Sequence, residues 1–66
     1  MNSITIGKRL TLLRGNVPQK DVAAAVGISV TALSMYETGN RIPRDEIKIK
    51  LAQHYGRTVE EIFFAK

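Results

Sequence analysis

Residues 18–37 read PQKDVAAAVGISVTALSMYE, and this stretch decides the fold of the chain. Ala23 and Gly27 are four residues apart, and Leu33 follows six residues after Gly27. A small residue lets one helix approach another closely, a glycine makes the turn between them, and an aliphatic side chain anchors the second helix to the core. The pattern predicts two short helices that cross steeply.

Local signals place the ends of these two helices. Pro18 suits the first turn of a helix that reaches Val26, because its missing N–H needs no partner there. Gly27 tolerates the positive φ that ends a helix, and Ser29 is a good N-cap for a helix over about 29–38. The two helices together span about residues 18–37.

The flanking sequence predicts three more helices and no strand. Apolar residues at helical spacing indicate a first helix at about 4–14, which Gly15 and Asn16 interrupt. A fourth helix is expected at about 44–55, with acidic residues in its first turn and Gly56 at its end. Thr58 and Glu61 form a capping box for a last helix at about 58–64. We therefore expect an all-α fold of five helices in a single domain, residues 1–66.

Length and composition argue against an enzyme. A domain of 66 residues has no room for a deep catalytic cleft. The chain has no cysteine and one histidine, His54, so no metal site is expected and His54 is interpreted as a surface or interface residue. No motif for a cofactor, a nucleophile or a phosphate loop is found, and we expect neither a cofactor nor a small-molecule ligand.

The charge is distributed unevenly along the chain. Residues 1–44 hold six basic and two acidic residues, whereas residues 45–66 hold four of each, so the net charge of +4 belongs to the first two-thirds. Such an excess can attract a polyanion, although ordinary solubilising charge explains it equally well. The sequence shows neither a signal peptide nor a membrane span, and we expect a cytoplasmic, nucleoid-associated protein without a membrane partner.

Four blocks of the sequence together resemble the XRE/Cro family of phage-repressor-like helix-turn-helix proteins. They are IGKRLTLLR at 6–14, PQKDVAAAVGIS at 18–29, LSMYETGNRIP at 33–43 and KLAQHYGRTVEEIF at 50–63. Their order and spacing match the family over nearly the whole chain. The resemblance implies a compact five-helix domain that binds double-stranded DNA as a transcriptional regulator. We expect a repressor that binds a two-fold operator as a homodimer.

The resemblance also implies which residues contact DNA. The helix at 29–38 would enter the major groove, with base contacts from Val30, Thr31, Ser34 and Met35. Val30 and Met35 cannot make bidentate hydrogen bonds to bases, so we expect contacts to thymine methyls and a contribution from DNA shape. An alternative is that these two apolar side chains bind a protein instead.

Contacts to the DNA backbone follow from the same comparison. The expected phosphate-contacting residues are Gln19, Ser29, Thr38, Asn40 and Arg41. Arg14 and Glu37 correspond to an ion pair that orients Arg14 near the backbone. The alternatives are that Gln19 is a plain surface residue and that the ion pair is purely structural.

The carboxyl-terminal helix is the predicted dimer interface, formed by Val59, Ile62, Phe63 and Phe64. Val59, Ile62 and Phe63 can share one side of the helix, which leaves Phe64 exposed for a partner. The alternative is that Phe64 folds back onto the core of its own chain.

Two features depart from the family pattern. The turn between Arg14 and Gln19 is about two residues shorter than usual. Asp45 and Lys48 stand where the family has aliphatic residues, and we expect Ile47 and Ile49 to compensate through a shift in register. A second class of function also stays open, an antitoxin-like protein-interaction module whose DNA binding is secondary.

Overall fold

A computed structural model describes residues 2–65 and contains five helical segments. They are α1 (Ser3–Arg14), α2 (Gln19–Val26), α3 (Val30–Glu37), α4 (Asp45–Tyr55) and a π-helical turn (Glu60–Phe64). No strand occurs among the described residues. The predicted all-α fold is confirmed, and every segment begins within about two residues of its expected position.

The predicted capping signals form the expected local hydrogen bonds. The Ser29 hydroxyl accepts a hydrogen bond from the backbone N–H of Ala32 at 3.0 Å. Thr58 and Glu61 form the reciprocal pair of a capping box, with both hydrogen bonds at 3.0 Å. These bonds to Thr58 lower the pKa of the Glu61 carboxyl. Gly27 ends α2 in the left-handed conformation, with φ at 82°.

The last segment differs from the regular helix predicted at 58–64. The backbone N–H of Ala65 donates to the carbonyl oxygen of Glu60 at 2.7 Å, which is the wider spacing of a π-helix. Arg9 supports this turn from α1, because its guanidinium donates to the carbonyl oxygens of Ile62 at 2.9 Å and Ala65 at 2.6 Å. The carbonyls at the end of the turn therefore find their partner on the first helix.

One hydrophobic core joins all five segments. Its largest fully buried side chains come from α1, α2, α3, α4 and the π-helical turn. They are Ile6, Leu10, Val22, Leu33, Leu51, Ile62 and Phe63. Because each short helix buries only a few apolar residues, no segment packs independently of the others.

The compensation that we expected from Ile47 and Ile49 in the fourth helix is only half present. Ile47 is buried, but Ile49 is exposed, and Lys48 takes the inward position with 7% of its surface exposed. Lys48 Nζ lies 3.6 Å from Asp45 Oδ1 and 5.1 Å from the centre of the Phe64 ring. A lysine can fill an aliphatic position in this way, because its methylene stem packs inward while its ammonium group stays near a carboxylate and a π face.

The first and third helices touch at Gly7. A Cβ atom placed on Gly7 would lie 2.8 Å from the carbonyl carbon of Glu37 and 2.9 Å from the carbonyl oxygen of Tyr36. These neighbours are backbone atoms, so they cannot move aside as a flexible side chain would. Only glycine at this position allows α1 to lie against the carboxyl end of α3.

We predict that Gly7→Ala destabilises the fold by about 1–3 kcal/mol, because the added methyl group overpacks this contact. Helix propensity alone predicts the opposite sign, a gain of up to about 1 kcal/mol. Urea denaturation of both proteins measures the difference. A variant as stable as the wild type would show that α1 and α3 do not pack this closely.

Candidate nucleic-acid interface

The outer face of α3 carries the four residues predicted to contact bases. Val30, Thr31 and Met35 are exposed and Ser34 is half-buried. Leu33 and Tyr36 are buried on the opposite side of the same helix. The face therefore presents two bulky apolar side chains and two hydroxyl groups to the solvent.

The amino-terminal ends of the two helices in the motif differ in how they are capped. The Ser29 side chain caps α3, whereas Pro18, which precedes α2, provides no side-chain cap. The backbone N–H groups of Asp21 and Val22 donate to the Pro18 carbonyl oxygen. The first N–H groups of α2 are thus left facing outward beside Gln19, where the helix dipole favours an anion.

A buried ion pair lies directly beneath this helix end. Arg14 Nε donates to Glu37 Oε2 at 2.7 Å, and Arg14 Nη2 donates to Glu37 Oε1 at 3.0 Å. The Glu37 side chain is only 4% exposed. The hydrogen bond to Glu37 raises the pKa of Arg14. The paired geometry fixes both side chains, because two parallel bonds leave the guanidinium little freedom to rotate.

Gln19 joins the ion pair through a third hydrogen bond. Its side-chain amide nitrogen donates to Glu37 Oε1 at 2.8 Å. Arg14 also spans the turn before α2, because its Nη1 donates to the carbonyl oxygen of Val17 at 2.9 Å. One carboxylate therefore ties the end of α1 and the start of α2 to the end of α3. We call Arg14, Gln19 and Glu37 the Glu37 junction.

The loop after α3 is ordered by its own side chains. Thr38 donates its hydroxyl hydrogen to the carbonyl oxygen of Ser34 at 2.9 Å and accepts a hydrogen bond from Asn40 Nδ2 at 2.8 Å. The hydroxyl hydrogen of Thr38, which we expected to reach a phosphate, is thus already used within the chain. Asn40 keeps one free amide hydrogen, and Arg41 is exposed and forms no ion pair with any residue in the range 2–65.

Tyr55 lies near the Glu37 junction, which no sequence pattern predicted. Its hydroxyl oxygen is buried and has no hydrogen-bond partner among the described residues. Burial raises the pKa of Tyr55, and the charge of Glu37 raises it further. The periodicity of apolar residues could not predict that Tyr55 lies near Arg14, because the two residues come from distant parts of the chain.

The residues predicted for the dimer interface do not all reach the surface. Ile62 and Phe63 are each 1% exposed, because both pack into the core of their own chain, so they are corrected to core residues. Val59 is partly buried against the same core, and Phe64 is 50% exposed. Phe64 lies in an apolar cleft of about 410 Å³, which is lined by Asp45, Lys48, Ile49, Val59 and Phe64.

Other kinds of site find little support in the described part of the chain. Residues 2–65 contain no group of three His, Asp or Glu side chains that could hold a metal ion. The exposed residue His54 contacts the ring of its neighbour Tyr55 edge-on. None of the helices in this range has the length and hydropathy needed to cross a lipid bilayer.

Comparison with models of known protein families gives a match over most of the chain. A family model described as helix-turn-helix matches residues 9–62, which is most of the chain and includes the Glu37 junction and the whole of α2 and α3. No curated protein sequence matches the chain significantly.

We predict that Glu37→Gln lowers the free energy of unfolding by about 2 kcal/mol or more, because it removes the negative charge and places an amide NH2 group where one carboxylate oxygen accepted from Arg14. Glu46→Gln is the matched control. It removes the same charge from an exposed pair with Arg44, at 3.6 Å, and should change stability by less than about 0.5 kcal/mol. Urea denaturation compares the two. Equal losses would contradict the structural importance of Glu37.

Proposed function

The chain belongs to the XRE/Cro-type helix-turn-helix family of DNA-binding regulatory proteins, and from this premise we propose that it is a sequence-specific repressor of transcription. In this proposal α3 enters the major groove of duplex DNA in the cytoplasm. The observation that carries it is the outward face of α3, which stands beside the open amino-terminal end of α2. The outward face of α3 fits the major groove, and the open amino-terminal end of α2 fits a phosphate.

The phosphate contacts would come from groups that the fold already holds in place. Gln19 uses one amide hydrogen on Glu37, which leaves the second amide hydrogen for a phosphate oxygen at the start of α2. Asn40 and the exposed Arg41 would contact the next phosphates along the same strand, with Thr38 orienting Asn40. The exposed Ser29 hydroxyl, which caps α3 as an acceptor, can still donate its hydrogen to a phosphate.

Base recognition would depend on apolar contact more than on hydrogen bonds. Val30 and Met35 offer methyl and thioether surfaces that suit the C5-methyl group of thymine. Thr31 and Ser34 hydroxyls can bond to base edges or phosphates. We therefore propose an operator with essential thymines and additional selectivity from DNA shape.

A homodimer would place two copies of α3 on a two-fold operator. The support for it is the apolar cleft at the carboxyl-terminal end, where Ile49 and Phe64 are about half exposed beside Val59. Packing this surface against its symmetry mate would bury both aromatic rings. The two recognition helices would then lie about 34 Å apart, one turn of DNA.

An antitoxin-like interaction module is the second candidate function. It is favoured by one observation, the exposure of Val30 and Met35, because exposed apolar side chains can also mark a protein interface. In that case these two side chains would bind another protein and the chain would contact DNA only weakly. The two functions differ in whether Val30 and Met35 affect DNA recognition.

We predict that replacing thymine by uracil at single positions of a selected binding site weakens binding of the wild type at one or more positions. Uracil lacks only the methyl group, so each lost contact should cost about 0.8 kcal/mol, or about fourfold in affinity. Val30→Ala or Met35→Ala should remove this sensitivity at one position. Fluorescence anisotropy measures the affinities.

Leu12→Ala is the control for this experiment, because Leu12 is an exposed apolar residue, 81% accessible, that lies on α1 and not on α3. It should retain the full sensitivity to uracil. An affinity of the wild type that stays unchanged by uracil at every position would contradict the proposed recognition by α3.

We predict that Phe64→Glu converts a dimer into a folded monomer, because the new carboxylates would be buried against each other at the two-fold contact. Operator affinity should fall by roughly a hundredfold or more, since the two binding events are no longer linked. Sedimentation at micromolar concentration and circular dichroism check assembly and folding. Leu12→Glu, an equal change at an exposed apolar site elsewhere, should stay dimeric. A monomeric wild type would exclude this interface.

A further inference from the structure

A second concave surface lies between the carboxyl end of α3 and the start of α4. It is a cleft of about 310 Å³ lined by Tyr36, Arg41, Ile42 and Arg44. Three of these four residues carry hydrogen-bond donors, and none carries an acidic group. The cleft thus presents donors and positive charge to any molecule that enters it.

Tyr36 contributes a donor that has no partner among the described residues. The residue is only 7% exposed, because its ring packs in the core with Leu33. Its hydroxyl forms no hydrogen bond with any residue in the range 2–65. The Tyr55 hydroxyl in that range is both unpaired and fully enclosed, whereas the Tyr36 hydroxyl is unpaired but not enclosed. The Tyr36 hydroxyl therefore remains accessible from the cleft. A largely buried side chain whose hydroxyl has no protein partner and reaches a cleft is held in place to donate to a molecule that enters the cleft.

The two arginines of the cleft are not neutralised. Arg41 forms no ion pair within the described residues, and Arg44 has only a loose contact with Glu46 at 3.6 Å, in which both side chains are largely exposed. Such a contact contributes little energy. Two guanidinium groups that line one cleft repel each other, and an anion between them would remove this repulsion.

We propose that this cleft holds one phosphate of the DNA backbone, with the Tyr36 hydroxyl as the donor that positions it. Arg41 and Arg44 would supply the charge, and the tyrosine would supply the geometry, because its ring cannot move within the core. The inference extends the proposed DNA binding and rests on it. Its consequence is that the depth of α3 in the major groove is set by a rigid contact as well as by flexible arginines.

Tyr36→Phe tests the inference, because it removes one hydroxyl and keeps the buried ring. The matched control is Tyr55→Phe, which removes the other unpaired tyrosine hydroxyl, at a place enclosed by protein. Affinities are measured on the selected duplex and on a series in which each phosphate in turn is replaced by an uncharged methylphosphonate. Thermal unfolding establishes that both variants fold.

We expect Tyr36→Phe to weaken binding to the natural duplex by about tenfold, since a hydrogen bond to a charged group is lost. On one duplex of the series, in which the contacted phosphate is neutral, this loss should largely disappear. Such a position-specific effect identifies a DNA phosphate and excludes a free anion in the cleft. Tyr55→Phe should bind like the wild type, and Arg44→Gln should lower the slope of log affinity against log salt by about one.

The inference is overturned if Tyr36→Phe binds every duplex like the wild type. It is also overturned if the variant loses the same factor on every duplex of the series, because the hydroxyl would then act on no particular phosphate. Both results leave the proposed function intact as long as the wild type binds DNA. A wild type that binds no duplex would overturn the proposed function and this inference together.

Discussion

The structure depends on the contact between Gly7 of α1 and the last turn of α3. Without a side chain at Gly7, the backbone carbonyl of Glu37 can lie against the first helix. This approach brings the Glu37 carboxylate within reach of Arg14 and Gln19. Glu37 therefore fixes the end of α1, the start of α2 and the end of α3 relative to one another. The surfaces proposed to bind bases and phosphates are thereby held in one arrangement by the same carboxylate.

Sequence patterns predicted the features that depend on near neighbours. The cap at Ser29 and the reversal at Gly27 involve residues within four positions, so local rules suffice for them. Features that join distant segments were missed, apart from the Arg14–Glu37 ion pair, which the family resemblance implied and no spacing rule did. Arg9 bonds to Ile62, more than fifty residues away, and no spacing along the chain reveals such a contact. Lys48 was interpreted as a misfit because a residue type does not show where its methylene stem will pack.

The carboxyl-terminal turn shows the same limit for a candidate site. Four large apolar residues in a row of six indicate burial, but they do not show how burial is divided between one chain and two. The answer depends on the pitch of the turn, which is π-helical and directs Ile62 and Phe63 inward while Phe64 stays half exposed. The site residues on α3 were easier to place, since a regular helix with a buried Leu33 determines which side faces outward.

The central claim is that one continuous surface, formed by the start of α2, the outer face of α3 and the loop that follows, binds duplex DNA. The most direct measurement is a titration of the 15N-labelled protein with a selected duplex, followed by backbone amide chemical shifts. The largest changes should fall on Gln19 and Lys20, on residues 30–35 and on residues 38–41. Shifts concentrated around Leu12 on α1 or Gln53 on α4, with the outer face of α3 unchanged, would contradict the account.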